Sequence, residues 1–183
     1  MTTAPQIDNT PLSPSRYIAL VVAWTATIGS LFLSEVLNFI PCTLCWYQRI
    51  LMYPLSIIIT IGILRRDNGI HHTVLPLAVP GFVIALYHYL LIKTDWLPPP
   101  PCLDGVPCTV DYLNILGFIN IPFMSLVAFF LIIVMMLASR HEPFAEPTNI
   151  EGVAALTARE AWLTYALIAV VFGFFVVLAQ VIA

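Results

Sequence analysis

The chain of 183 residues contains four cysteines, and their spacing divides them into two pairs. Cys42 and Cys45 form a C-x2-C motif, whereas five residues separate Cys102 from Cys108. Arg49 follows Cys45 by four residues, inside an otherwise apolar stretch. Two cysteine pairs can pass a disulfide from one to the other when a thiolate attacks a sulfur–sulfur bond. The residue types and spacing therefore predict thiol–disulfide exchange, provided that both pairs face the same compartment.

The first pair and the arginine share a helical spacing. Positions three and four apart lie on one face of a helix, so Cys42, Cys45 and Arg49 are predicted to face the same way. A helix N-terminus and a nearby cation both favour the thiolate, which is the reactive form of cysteine. The alternative is a pair of buried structural cysteines, with Arg49 extending its side chain to the lipid headgroups.

The second pair lies in a proline-rich segment. A turn at Asp104-Gly105 could bring Cys102 and Cys108 within the roughly 4.4–6.8 Å between Cα atoms that a disulfide needs. The prolines at 98–101 predict a stiff, exposed loop that gives another protein access to the pair. A static staple of this loop is the alternative. A zinc site built from the four cysteines is disfavoured, because an outward-facing compartment favours oxidation over retained thiolates.

The composition is that of a membrane protein. Hydrophobic residues make up 60% of the chain and charged residues 9%, whereas soluble domains contain about 25% charged residues. Five apolar segments have about the length that spans a bilayer, and backbone groups in lipid must hydrogen-bond internally, so each is predicted to be a helix. The predicted fold class is an all-α integral membrane protein, and the net charge of −3 does not indicate a nucleic-acid partner. The segments are Tyr17–Phe39, Trp46–Leu64, Val74–Ile92, Pro122–Ala138 and Ala161–Ala183.

The positions of the basic residues predict the orientation. Arginines precede the first segment and lie between the second and third and between the fourth and fifth, whereas the other two loops contain only Lys93. Cytoplasmic loops are enriched in Lys and Arg, so the N-terminus is predicted to be cytoplasmic and both cysteine pairs to face outward. The predicted divisions are a cytoplasmic tail at 1–16, four helices at 17–139 with outer loops at 40–45 and 93–121 (including a short surface helix at Tyr112–Phe118), a cytoplasmic loop at 140–160 and a fifth transmembrane helix at 161–183.

Three polar side chains lie near the outer ends of the apolar segments. Ionisable groups within a membrane span are costly and often mark a functional site, which makes His88 and Glu35 candidates. The alternatives are an interfacial position for His88 and a role for Glu35 as the outer cap of the first helix. Gln48 could donate a hydrogen bond to a carbonyl ligand or face a neighbouring helix.

The electrons released when a disulfide forms need an acceptor. The sequence contains no haem motif of the CxxCH type, no GxGxxG motif and no iron–sulfur spacing. A lipid-soluble acceptor such as a quinone would reach a thiol in the membrane, and Arg49 would stabilise negative charge on a quinone oxygen.

Three parts of the sequence resemble the DsbB family of disulfide-bond formation proteins, most closely its BdbC-like branch. They are the stretch Pro41–Ile50 with its C-x2-C-x3-R motif, the short C-x5-C loop and the stretch Gly117–Phe123. The resemblance covers about residues 17–139. It implies a four-helix transmembrane bundle in the bacterial cytoplasmic membrane, to which the additional C-terminal transmembrane helix does not belong.

The resemblance also implies roles for the site residues. The family reoxidises an extracytoplasmic thioredoxin-fold partner (a DsbA- or BdbD-like protein) and passes the electrons to ubiquinone or menaquinone. Cys42 and Cys45 correspond to the quinone-coupled pair, with Cys45 at the ring and Arg49 as the quinone-site arginine. By the same resemblance Cys102 forms the mixed disulfide with the partner and Cys108 pairs transiently with Cys42. His88 falls near a quinone-proximal histidine of the family, and Gln48 stands where many relatives carry glutamate.

Two further functions remain open at this level. The fifth helix is similar to that of the vitamin K epoxide reductase homologues, which suggests a quinone or epoxide reductase that works in the opposite direction. A protein of another class, without catalysis, would use its disulfides only to staple the outer loops.

Overall fold

Five long helices make up the structure, a computed structural model that describes residues 13–94, 98, 107–114, 116–142 and 150–182, with side chains of the last range described from 158 onward. Each helix is long and apolar enough to cross a membrane, which confirms the all-α membrane fold and the five predicted spans. The helices are α1 (Pro14–Glu35), α2 (Thr43–Leu64), α3 (Ile70–Lys93), α4 (Ile121–Ala138) and α5 (Ile150–Ile182), and a short 3-10 helix (Ser139–His141) follows α4.

Helices α1 to α4 form a four-helix bundle in which each helix packs against its two neighbours around the ring. Short connections join α1 to α2 and α2 to α3, so consecutive helices run antiparallel. The side chains in the centre are fully buried and come from all four helices. Helix α5 packs outside this ring against α1 and α2. The core includes Leu20, Leu55, Ile59, Val74, Phe129 and Ile132.

Side chains cap the helices at the end of the bundle that contains the cysteines. Cys42 is the N-cap of α2, and its Sγ accepts a hydrogen bond from the backbone N–H of Cys45. Asn120 caps α4 in the same way, because its Oδ1 accepts from the N–H of Phe123 at 3.0 Å. Such caps satisfy backbone donors that the first turn of a helix leaves unpaired. The local sequence thus fixes where α2 starts and places the first cysteine pair in its opening turn.

The opposite end of the bundle holds a buried arginine. Arg16 is only 1% exposed, and its guanidinium donates to Ser13 Oγ at 2.8 Å, Asn68 Oδ1 at 3.3 Å and the Ser139 carbonyl at 3.4 Å. These partners come from the start of α1, the α2–α3 connection and the 3-10 helix after α4. One side chain therefore ties three elements together at this end.

The helix bounds correct several predicted boundaries. Helix α5 begins at Ile150, so residues 150–160 are helical rather than part of a loop at 140–160; Ala, Leu, Glu and Arg in this stretch favour helix, although it is not apolar enough to read as a span. The predicted outer loop 40–45 is shorter, because Thr43 to Cys45 already belong to α2. Helix α1 ends at Glu35 rather than Phe39. The predicted surface helix at Tyr112–Phe118 is wrong for its described residues, which form bends and turns.

Candidate redox site

The first cysteine pair lies at the N-terminus of α2 with its two sulfur atoms in contact. The Sγ atoms of Cys42 and Cys45 are 2.9 Å apart, longer than the roughly 2.05 Å of a disulfide bond. The backbone N–H of Cys45 donates to Cys42 Sγ at 3.4 Å. Cys42 is buried and Cys45 is half-buried. The two thiols are therefore close enough to form a disulfide after a small rotation of the side chains.

The protonation of Cys42 follows from its two neighbours. The hydrogen bond with the Cys45 sulfur, together with burial, raises the pKa of the Cys42 thiol to about 12, while the His88 side chain acts in the opposite direction. A thiol whose pKa is raised stays protonated at neutral pH. Cys42 therefore stays a thiol at neutral pH.

His88, on α3, connects the first cysteine pair to the loop of the second. Its Nδ1 lies 3.1 Å from the amide nitrogen of Gln48, and its Nε2 lies 3.1 Å from the Cys108 carbonyl oxygen and 3.8 Å from Cys42 Sγ. A carbonyl only accepts and an amide nitrogen only donates, which assigns the proton of the neutral ring to Nε2. Gln48 is buried and faces a neighbouring helix, the second of the two arrangements considered for it.

Cys108 is buried, so the prediction that the second pair lies exposed on its loop is wrong for this member of the pair. Its exposed fraction is 1%, and it packs in a small apolar cluster with Cys42, Leu44 and Leu91. The loop is held onto the bundle by the contact between His88 and the Cys108 carbonyl and by Lys93, whose ammonium donates to the Gly117 carbonyl at 2.8 Å. Proline-rich composition indicates a stiff loop but not the surface on which it rests. Cys102 lies outside the described residues.

Arg49 lies one helical turn beyond Cys45, as the spacing predicts, and reaches across to α1. Its Nη2 donates to the backbone carbonyl of Ser30 at 2.9 Å, and its guanidinium carbon lies 5.4 Å from the centre of the Trp46 ring. A guanidinium over an aromatic face is stabilised by the ring quadrupole. The alternative in which Arg49 reaches the headgroups does not fit these contacts, since the side chain points along the bundle toward α1.

A cavity of about 510 Å³ opens onto these residues. Its lining on α1 extends from Val21 to Leu33, a distance of about 18 Å at 1.5 Å per residue. The ionisable groups gather at the cysteine end, and the remainder is lined mainly by apolar side chains, with Thr25 and Tyr53 as polar exceptions. This size and lining are typical of a site for a small organic molecule with one polar end. Lining residues at the polar end include Cys42, Cys45, Gln48, Arg49, His88 and Asp111.

The amino-acid sequence matches the family model described as "Disulfide bond formation protein DsbB" over residues 14–139. The chain belongs to the DsbB family. Disulfide bond formation protein C of Bacillus subtilis (strain 168) is 48% identical over 127 residues, which are 69% of this chain and 92% of that relative. A probable disulfide formation protein of Oceanobacillus iheyensis is 44% identical over 124 residues, 67% of this chain and 86% of the relative. No solved structure gives a significant match.

Membership of the DsbB family and five membrane-spanning helices together make this chain a multi-pass membrane oxidoreductase for disulfide-bond formation. The family match ends at residue 139, which is the first residue of the 3-10 helix. Helix α5 lies beyond it. The four-helix part of this DsbB-family chain therefore carries both the cysteines and the family signature.

The same site groups three side chains that bind metals in other proteins. The ligand atoms of Cys42, Cys45 and His88 lie within 4.8 Å of one another. The hydrogen bonds of His88 favour redox chemistry over metal binding in this DsbB-family site, because a nitrogen that donates to the Cys108 carbonyl has no lone pair for an ion. A metal would also hold both sulfurs as thiolates and block exchange.

Two contributions to the site were absent from the sequence-based prediction. Ser30 contributes a backbone carbonyl, which no side-chain pattern marks. Phe175 and Leu178 line the cavity from α5, whose apolar sequence resembles that of any lipid-facing helix. Glu35, a predicted candidate, is exposed as the last residue of α1 and is not among the described residues that line the cavity.

Proposed function

We propose that this DsbB-family chain reoxidises an extracytoplasmic thioredoxin-fold oxidoreductase and passes the electrons to a membrane quinone. One observation carries the proposal: the 510 Å³ cavity has Cys45 and Arg49 at its polar end and mainly apolar walls along its length. A thiol pair that opens into an apolar cavity within a membrane protein fits an acceptor that diffuses in the bilayer. Ubiquinone and menaquinone both have this chemistry, and the polar end suits either ring.

In the first exchange the partner gives up two thiols and gains a disulfide. A partner thiolate attacks Cys102 of the Cys102–Cys108 disulfide, which releases Cys108 as a thiol and leaves a mixed disulfide at Cys102. The second partner thiolate then displaces Cys102 and completes the partner's disulfide. Burial of Cys108 supports Cys102 as the partner-facing sulfur, since a protein partner has little access to a side chain that is 1% exposed.

In the second exchange the oxidising disulfide moves outward from the first pair. Cys108 attacks Cys42 of the Cys42–Cys45 disulfide and releases Cys45 as a thiolate; Cys102 then attacks Cys108, which restores Cys102–Cys108 and leaves Cys42 as a thiol. The contact of one His88 nitrogen with both Cys42 Sγ and the Cys108 carbonyl supports this route, because it holds the two cysteines at the same place. Arg49 stabilises the thiolate that Cys45 becomes.

The last step returns the first pair to its disulfide. The Cys42 thiol and the Cys45 thiolate lose two electrons and one proton as their sulfurs bond; a quinone in the cavity would accept the electrons, this proton and a second proton from solvent to become a quinol. Arg49 would hold such a ring through a charge-assisted hydrogen bond to a quinone oxygen. Gln48 keeps the His88 ring in place at the mouth of the cavity.

The arrangement of charges supports an orientation with the cysteine end outside the cell. Arg16, Arg66 and Arg159 lie at the opposite end of the bundle, and cytoplasmic segments are enriched in such residues. The N-terminus is then cytoplasmic and the partner meets the protein on the extracytoplasmic side.

The test uses purified protein in detergent with a reduced thioredoxin-fold partner and the short-chain quinone ubiquinone-1 or menadione. Loss of quinone absorbance with stoichiometric loss of partner thiols is the expected result. Cys45→Ser should lower the rate by at least 100-fold, whereas Tyr47→Phe, an exposed neighbour on the same turn, should leave it unchanged. Unchanged turnover in Cys45→Ser would overturn the proposal.

The same assay separates the other functions. Consumption of quinol with production of partner thiols would indicate a reductase that works in the opposite direction. Cysteines that stay oxidised in cells whether or not quinone is supplied would indicate structural staples. Bound zinc released on oxidation of the protein would indicate a metal site.

A further inference from the structure

Helix α5 lies outside the part of the chain that matches the family model. The family match ends at residue 139, and α5 runs from Ile150 to Ile182. The Bacillus subtilis relative is 92% covered by its match to this chain, which leaves too few residues outside the match for a helix of 33. Because the four-helix bundle is complete without α5, specific contacts must hold α5 against it.

The inner half of α5 is fixed to the bundle by polar contacts. Glu160 is buried and accepts a hydrogen bond from the Tyr17 hydroxyl of α1. Its carboxylate also lies 3.8 Å from the guanidinium of Arg66, in the α2–α3 connection. Leu163 and Leu167 on the same face of α5 pack against the core of the bundle. Because a buried carboxylate is costly without partners, these contacts fix both the position and the rotation of α5.

The outer half of the same face reaches the redox cavity. Phe175 and Leu178 lie about four and five turns beyond Glu160, respectively, and line the cavity. The Phe175 ring packs against Phe32, with 5.6 Å between the ring centres. It also approaches α1 at Gly29, where an added Cβ would lie 3.2 Å from the ring. The absence of a side chain at Gly29 leaves a gap between α1 and α5, and the Phe175 ring fills it.

This contact lies next to the group that holds the arginine. Gly29 precedes Ser30, whose carbonyl accepts the hydrogen bond from Arg49. Phe175 therefore contacts α1 beside the residue that binds Arg49. Other α5 side chains of the same size, such as Phe172 at 58% exposed, face away from the bundle.

We propose that α5 is a wall of the quinone site, in which Phe175 and Leu178 close the side of the cavity beside Ser30 and Arg49 against the lipid. The identity of the ligand rests on the proposed function, whereas the closure of the cavity by α5 does not. Phe175 is a positioning residue that confines a planar, apolar acceptor next to Cys45. In a relative without α5, lipid would occupy that side of the cavity. The added helix therefore restricts the range of ligands that fit the cavity.

The first experiment measures the wall without any quinone. In a variant that retains only Cys45, the rate of alkylation by membrane-soluble N-phenylmaleimide is compared with that by a charged, water-soluble maleimide. Phe175→Ala should accelerate the reaction with N-phenylmaleimide at least fivefold and leave the charged reagent unchanged, because only the lipid side opens. Phe172→Ala is the matched control and should change neither rate.

Two outcomes would overturn the inference. Equal N-phenylmaleimide rates for Phe175→Ala and Phe172→Ala would show that α5 does not close the cavity. A parallel increase for both reagents in Phe175→Ala would show a general loosening of the bundle instead of a lateral opening. Phe175→Leu, which keeps most of the apolar volume, should stay within twofold of the parent.

The second experiment measures the ligand. Phe175→Ala in the otherwise unchanged protein should raise the KM for ubiquinone-1 about tenfold with little change in kcat, because binding and not the sulfur chemistry is impaired. A lowered kcat at unchanged KM would contradict a positioning role. A parent protein that reduces no quinone would overturn the proposed function, and the alkylation rates would still decide whether α5 is the wall.

Discussion

At the scale of single residues, the site assigns unlike roles to two chemically identical thiols. Cys42 is the N-cap of α2, is buried, and has a raised pKa through its contact with Cys45; Cys45 lies in the first turn, half-buried, with Arg49 one turn beyond. Both sulfurs belong to one motif, and only their surroundings differ. This asymmetry supports attack by Cys108 on Cys42, because Cys45 is then the leaving group nearest a cation and leaves more readily.

The raised pKa of Cys42 leads to two predictions, one for a substitution that should lower this pKa and one for a substitution that should raise it further. Cys45→Ala removes the largest cause of the shift, so the pKa of Cys42 should fall from about 12 and its thiolate should appear at lower pH. His88→Ala removes a group that lowers the pKa, so the Cys42 thiolate should appear at still higher pH. The pH dependence of Cys42 modification by methyl methanethiosulfonate, in variants without Cys102 and Cys108, measures both. Shifts of the same sign in the two variants would contradict this account.

At the scale of elements, a glycine allows two helices of the bundle to pack closely. In a membrane there is little hydrophobic drive between helices, so association depends on van der Waals contact and small residues. Gly81 of α3 meets Phe129 of α4, where an added Cβ would lie 2.2 Å from the aromatic ring. Phe129 is fully buried and is held by the rest of the core, so its ring cannot shift to make room for an added methyl group.

Gly81→Ala should therefore separate α3 from α4. Overpacking of a core typically costs about 1–3 kcal/mol, and the added methyl should lower the free energy of unfolding of the detergent-solubilised protein by about that amount. Gly173→Ala on α5 is the control, because nothing lies within 4 Å of its added Cβ. Denaturant titration followed by helical circular dichroism measures both variants. Equal stability of the two would show that α3 and α4 are not packed as closely as described.

At the scale of the whole molecule, opposite ends of the bundle carry different chemistry. The cysteines, His88 and the polar end of the cavity lie at one end. The other end holds buried Arg16 and the Glu160 contacts that dock α5. Under the proposed function, electrons that enter at the cysteine end would have a short path to an acceptor in the bilayer.

The proposed orientation predicts which end is reached from outside the cell. In a cysteine-free background, Ile40→Cys lies in the α1–α2 connection and His72→Cys lies at the start of α3; both positions are exposed. A membrane-impermeant maleimide should label Ile40→Cys in intact cells and His72→Cys only after the membrane is permeabilised. The reverse labelling pattern would contradict the orientation.

Much of this architecture could be read from local sequence. Five apolar runs of sufficient length predict five helices, because backbone groups in lipid have no partner except one another. The spacing of Cys42, Cys45 and Arg49 predicts that they share one helix face. In the structure Cys42 caps α2, and Cys45 and Arg49 lie one turn apart within it. Boundaries were less certain where polar residues continue a helix past its apolar part, as at Ile150–Glu160.

The tertiary structure alone decided what surrounds these groups. Burial of Cys108, the link from Gln48 through His88 to the second loop, and the bond from Arg49 to Ser30 all join residues distant in sequence. Each depends on how a helix is rotated about its axis, and a helix that is apolar on every side gives no sign of that rotation. The sequence by itself therefore determined the cysteine chemistry and the membrane setting. Packing of α1, α2, α4 and α5 determined the cavity, because its walls are formed by contacts between helices rather than by any one of them.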